Sequence, residues 1–250
     1  MIDYSQHRNF TDRTVTEYYL SPGIRCKFDL LKENVDPKVI YNSTIDLGSS
    51  GNSFLLFLEN LNHRSFLDIA DFPLKQYKNG GKYHPLRGDL TRLPYRDESF
   101  DFVSALDVLE HVKDDQLAIS EMSRILKEKG VLFITIPHRM KYYSQQDRII
   151  GHYRRYEISE IINLFKKYNL KHIKTFGIYG QLMRISDIQS ANPTKLEENL
   201  ISLRLRYESN QAFRKFWNVV VGVLSLFMKL DAKYRALKSV MNFALVFKKV

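Results

Sequence analysis

Apolar residues in this chain come in short runs that alternate between two spacings. Thr44–Leu47, Ser65–Ile69, Phe100–Leu106 and Val131–Ile136 are compact, and a weaker run covers Tyr83–Arg87. Runs of this length bounded by turn residues predict strands. Between them, Ser53–Leu61 and Asp115–Lys127 read as helices, and Phe72–Tyr77 as a shorter one before an Asn79-Gly80-Gly81 turn. Gly130 is expected just past the helix 115–127, as a C-terminal stop. Strands alternating with helices at this spacing predict a parallel sheet covered on both faces.

The flanks have a different character. Residues 1–40 read as helical, broken at Ser21-Pro22-Gly23, with Pro22 suited to the first turn of the second helix. Ile158–Tyr168 predicts a helix and Leu170–Tyr179 an extended segment. Residues 193–238 read as mostly helical with a basic excess, and Asn242–Phe247 alternates like a last, edge strand. The expected organisation is an N-terminal helical cap (1–40), an α/β core (41–190) and a C-terminal helical elaboration with a final edge strand (191–250).

Composition narrows this picture a little. The 250 residues suit one large α/β domain or two small ones. A net charge of +10 suits an anionic partner: nucleic acid, a lipid surface, or a phosphorylated or carboxylated substrate. Cys26 is the single cysteine, which excludes an intrachain disulfide and any CxxC site. MIDYSQHRNF is too polar for a signal peptide, and no apolar stretch reaches the ~20 residues of a spanning helix, so the default expectation is the cytoplasm.

Candidate chemistry begins at TIDLGSSGNS, residues 44–53, where a strand ends on Asp46 and runs into a small-residue loop. Asp68 closes the next strand, at the distance where an acid meets a ribose diol in dinucleotide folds. A carboxylate can accept from two hydroxyls at once. The alternative is that both acids only cap strand ends. Further on come GDLTRLPYRDESFDFV, with Asp89 in a loop, and ALDVLEHV.

Taken together, these stretches resemble the class I S-adenosylmethionine-dependent methyltransferases over roughly residues 40–180. IDLGSSGNS is similar to their first motif, with Asp46, Gly48, Ser49, Ser50 and Gly51; LDI, with Asp68 and Ile69, is similar to their ribose-binding acid. The resemblance implies an α/β, Rossmann-like doubly wound sheet of seven strands, mostly parallel with an antiparallel last strand. It also implies S-adenosylmethionine as cofactor, S-adenosylhomocysteine as product, and residues 41–190 as the cofactor-binding core. Gly48 would let the backbone approach the cofactor's amino-acid end, and Asp68 would hold the ribose. Asp89 would accept from the adenine amino group, with Leu90 beside the ring. Leu106 and Asp107 would flank the methionine part. The family's loop has glycine where this chain has Ser50 and Asn52, so the loop is either a working but atypical site or a degenerate one.

DRIIGHYRRY, residues 147–156, resembles a segment that lies over the substrate side of the pocket in a subset of these enzymes. His152 could take a proton or orient a substrate, because imidazole titrates near neutral pH; His111 and His138 are the next candidates. Arg154 and Arg155 could fork an anion, or Arg155 and Tyr156 could lock the loop to the core. Asp107, Glu110, His111 and His152 resemble the divalent-metal set of some O-methyltransferases, a lesser alternative to a metal-free site. Residues 213–230 suit a helix at a membrane surface or over a lipid-like substrate, or one buried in the core or at a homodimer interface.

The expected function is methylation of an oxygen or nitrogen on a small-molecule acceptor, anionic or lipid-linked in the readings that use the positive charge. An RNA methyltransferase is the runner-up. A non-catalytic, methyltransferase-like binding protein is the reading favoured by the glycine-poor loop.

Overall fold

The computed structural model describes residues 14–77, 81–183 and 193–250. Residues 1–13 of the expected cap and the Asn79-Gly80 part of the expected turn lie outside the described residues. The strands are β1 (Tyr41–Leu47), β2 (Leu61–Asp68), β3 (Tyr83–Arg87), β4 (Phe100–Leu106), β5 (Leu126–Pro137), β6 (Leu170–Tyr179) and β7 (Asn242–Lys249). They form one sheet in the order β3-β2-β1-β4-β5-β7-β6. β1 to β5 pair in parallel, and β7 pairs antiparallel with both β5 and β6. This is the expected doubly wound sheet with one antiparallel strand.

One expectation about it is corrected. β7 is not an edge strand but fills the slot between β5 and β6. Phe243, Leu245 and Phe247 enter the core on one face of the sheet, and Ala244 and Val246 enter the core on the other. A strand buried on both faces has no water for its backbone groups, so a neighbour on each side must satisfy them.

The helices are α1 (Glu17–Leu20), α2 (Pro22–Lys32), α3 (Asp71–Leu74), α4 (Asp115–Ile125), α5 (Gln145–Ile150), α6 (Ile158–Lys166), α7 (Pro193–Ser209) and α8 (Gln211–Tyr234). Alternate strand residues face two separate cores. Val103, Ala105, Leu132 and Ile134 pack against Ala118, Ile119 and Met122 of α4 and Ile161 and Phe165 of α6. Phe66, Phe102 and Phe133 face the other way, toward Phe28 and Leu31 of α2 and Phe54. Phe102 and Phe133 stack with centroids 5.2 Å apart at the middle of that second core.

The crossover from β1 to β2 departs from the helix expected over 53–61. Only Phe54–Phe57 turns, as a 3-10 helix, and Leu58 is already extended. With β2 starting at Leu61, residues 48–60 are barely long enough for a parallel crossover, and part of that length is spent in the loop after β1. The N-terminal helix α2 covers the exposed sheet face instead. Pro22 opens it, the Ser21 hydroxyl caps the Ile24 amide at 3.4 Å, and Phe28 packs 5.6 Å from Phe57.

The helix expected over 115–127 stops at Ile125. Gly130 is therefore no helix stop. It lies inside β5, where the register against β4 shifts, and a Cβ there would meet Leu126 Cδ1 and the Lys127 carbonyl at 2.8 Å.

Phe133 is 1% exposed at the centre of the second core. Phe133→Ala is expected to destabilise the chain by about 3–5 kcal/mol in urea denaturation without changing the fold.

Candidate active site

Five parallel strands place their carboxyl ends on one edge of the sheet, where open α/β sheets take ligands. The loop after β1 turns there through left-handed backbone at Gly48 (φ +71°), Ser50 (φ +45°) and Gly51 (φ +70°). Any side chain at Gly48 is strained: a Cβ would stand 2.4 Å from Val108 Cγ2. Ser50 adopts a conformation that costs a non-glycine residue roughly 1–2 kcal/mol.

Asp68 holds this loop in place. Its Oδ2 accepts from the Ser50 amide at 2.9 Å and its Oδ1 from the Ala70 amide at 3.0 Å. Gly48 and Ser49 donate to the Leu67 carbonyl, and the Tyr77 hydroxyl donates to the Ser49 carbonyl at 3.1 Å. Tyr77 in turn stacks on Phe66 at 3.8 Å. Ser49 Oγ and Asn52 Oδ1 are buried beside this frame with no hydrogen-bond partner. Such atoms fit a ligand that carries hydroxyl, amino or carboxylate groups.

Four acids gather at the same edge. Asp46 is 3% exposed and accepts from the Ser104 hydroxyl; burial pushes its carboxyl up to about 6, against the hydrogen bonds of Ser104 and Ser53 and the charge of Lys27. Burial also raises Asp68, against its backbone donors. Asp107, at φ +51°, is held below the ordinary range. Burial opposes this, but Lys27 Nζ at 2.8 Å and the donors Thr135 and Asn242 outweigh it. Glu110, 1% exposed, is driven well up by burial and then by the Asp107 charge, and its Oε2 has no partner.

DRIIGHYRRY lies against the LEHV segment. The Tyr153 amide donates to the Glu110 carbonyl at 2.8 Å. Arg154 pairs with Asp115 at 2.6 Å, and the Tyr156 hydroxyl reaches the Asp115 carboxylate at 3.1 Å. Arg155 forks onto Asp147 at 2.9 and 3.0 Å. His152 Nδ1 meets Asp147 Oδ1 at 2.7 Å, its Nε2 lies 3.8 Å from Glu110 Oε1, and its ring sits edge-on to His111 at 4.6 Å. Asp147 is held far below the usual carboxylate range: burial opposes this, but His152 and Arg155 outweigh it.

The candidates therefore separate. The structure gathers Asp46, Gly48, Ser49, Ser50, Gly51, Asp68, Asp107, Glu110, His111 and His152 around the carboxyl ends of β1, β2 and β4. Asp89 is exposed on the next loop, its Oδ1 held by the Thr91 amide and hydroxyl at 2.8 Å, with Leu90 buried behind it. Ile69 is exposed beyond Asp68, and Leu106 is half-buried in the second core.

His138 does not join them. It is 1% exposed, wedged on Phe243, with Nδ1 3.1 Å from the Val240 carbonyl, so it fastens the β5 end to the β7 entry.

Among the described residues, Glu110, His111 and His152 can each offer one ligand atom, all within 4.8 Å of one another. Asp107 leaves the four-residue metal set, because Lys27, Thr135 and Asn242 occupy its oxygens.

Lys27 and Asp147 escaped the sequence reading. Nothing around Lys27 singles it out, since Cys26 and Phe28 beside it are ordinary core residues. Asp147 opens DRIIGHYRRY, five positions before His152.

Residues 45–134 match the family model described as a methyltransferase domain. The chain is 33% identical over 137 residues to an uncharacterized protein of Methanocaldococcus jannaschii, covering 54% of this chain and 53% of that one. It is 38% identical over 69 residues to a demethylmenaquinone methyltransferase of Streptomyces avermitilis, covering 26% of this chain and 30% of that one. The chain thus spans about half, or less, of the length of these curated relatives. Its fold is similar to an N-methyltransferase of Bradyrhizobium japonicum solved with S-adenosyl-L-homocysteine, at a TM-score of 0.60 over 97% of this chain and 95% of that one. At 12% identity that likeness is one of fold.

Two stability measurements test the geometry. Asp46 binds its proton more tightly folded than unfolded, so it costs stability as pH rises from about 4 to about 6, and that cost persists above. Asp46→Asn is expected to gain about 2–3 kcal/mol in urea denaturation of the ligand-free protein at pH 8 and almost nothing at pH 4. Gly48→Ala is expected to lose about 2–4 kcal/mol, from left-handed strain plus the clash with Val108.

Proposed function

We propose that this chain, which belongs to the class I S-adenosylmethionine-dependent methyltransferases, moves the cofactor's methyl group to an oxygen or nitrogen of a small-molecule acceptor. The observation that carries this reading is the Asp68 carboxylate, locked by the Ser50 and Ala70 amides beside the left-handed loop at the carboxyl edge. That lock keeps the loop formed although serine stands where the family has glycine. The unpaired Ser49 Oγ and Asn52 Oδ1 and the surrounding acids fit a ligand with hydroxyls and a positively charged end.

The cofactor supplies an electrophilic sulfonium methyl, so the chain's own work is alignment, exclusion of water and proton removal. Asp68 would accept from the cofactor's ribose hydroxyls, and Asp89 from its adenine amino group. Asp107, balanced by Lys27, would flank its methionine end. A base is required only for a hydroxyl or a protonated amine. Ionised Asp147 accepts a hydrogen bond from the Nδ1–H of His152 and so fixes its tautomer, which leaves Nε2 as the acceptor beside Glu110. The Streptomyces avermitilis relative is named for a small-molecule acceptor, which supports an acceptor of that size.

The test is label transfer from methyl-labelled S-adenosylmethionine into small-molecule fractions and, separately, into RNA. Label in a small molecule with matching S-adenosylhomocysteine release is expected. His152→Ala should then lower kcat about 10²–10⁴-fold on a hydroxyl acceptor, with KM for the cofactor unchanged. Label in RNA alone, or no S-adenosylhomocysteine from any fraction, would contradict the proposal.

A further inference from the structure

The helix α8 presents an apolar stripe to solvent. Phe216, Val219, Val223, Leu226, Phe227 and Leu230 recur at helical spacing along one side, and Phe216, Val219 and Phe227 are 61%, 65% and 57% exposed. Val221, Ser225 and Ala232, on the opposite side, are buried against the domain. The stripe runs roughly 20 Å along the helix axis. A continuous apolar band of this length on one helix marks an interaction surface, unlike scattered single residues. No helix among the described residues is long and apolar enough to cross a membrane.

Charge decides what fits the stripe. Residues 211–238 hold Arg214, Lys215, Lys229, Lys233, Arg235 and Lys238 against the single acid Asp231, which is tied to Arg235. Glu33 of α2 neutralises only part of this, pairing with Lys229 and Lys233. Lys215 and Lys233 lie on the same rim of the stripe, near its two ends. In an antiparallel two-fold pairing of two copies, Lys215 of one would face Lys233 of the other, whose acid Glu33 is already shared with Lys229, so three lysines would gather about one carboxylate at each end. An anionic surface meets those cations favourably and also accepts the apolar residues between them.

We propose that α8 docks the protein on an anionic lipid surface, lying in the headgroup plane with Phe216, Val219, Val223 and Phe227 turned into the acyl boundary. Lysines at the rim reach the headgroups while their stems cover apolar surface. This docking is independent of the methyl-transfer reading.

The test is co-sedimentation of the full chain with phosphatidylcholine vesicles, with and without phosphatidylglycerol. Binding to the phosphatidylglycerol vesicles is expected, falling several-fold as salt is raised. The Phe216→Ser, Phe227→Ser double variant should lower partition about tenfold or more. Lys215→Gln, which removes one charge, should lower it about fivefold. Both phenylalanines are exposed, so far-ultraviolet circular dichroism should show the double variant folded. No pelleting at low salt, or pelleting unchanged by the double variant, would overturn the proposal. So would a dimer in sedimentation velocity that the double variant dissociates, which would assign the stripe to a second copy.

Discussion

Residues 48–60 must carry the chain from the end of β1 to the start of β2, and that short connection governs much of the structure. It leaves room for one 3-10 turn, so the sheet face above it is covered by a helix from the N-terminal flank. That helix brings Lys27 to Asp107. The same tight connection sets the loop at Gly48, Ser50 and Gly51 directly against the end of β2, where Asp68 ties it down. Crossover length, cap and the left-handed loop after β1 are therefore one problem with one solution.

The electrostatics follow from this packing. Asp46, Asp68, Asp107 and Glu110 share one edge, and Lys27 is the cation that α2 delivers to it. Burial pushes Asp46 and Glu110 toward their neutral forms, while the ion pair keeps Asp107 charged. A ligand with a positive end would favour ionisation of these carboxyls, because a nearby opposite charge offsets part of the desolvation cost. The second arm of the site, from Asp147 to Arg155, has the opposite logic. Its acid is fully committed, so His152 is oriented by a fixed charge.

Much of this was legible in the sequence. The strands at 83–87, 100–106 and 170–179 stand where the patterning put them, and the acids at strand ends mark the sheet's carboxyl edge. What failed to show were features set by distant parts of the chain. The FLLFL run after Ser53 has helical composition, but too few residues precede β2 for a helix to close. The alternation in β7 reads the same for an edge or an inserted strand; only the burial of both its faces tells them apart. Lys27 carries no local signal, since its partner lies eighty positions away. Ser50 looked like a lost glycine, and only the Asp68 hydrogen bond to its amide shows how the loop holds that conformation.

The account rests on the glycine-poor loop being a cofactor site that Asp68 both shapes and serves. Calorimetric titration of the purified chain with S-adenosylhomocysteine tests this most directly. The account predicts micromolar binding at one site, weakened at least tenfold in a folded Asp68→Ala variant. A folded wild-type chain that takes up no S-adenosylhomocysteine at millimolar ligand would contradict it.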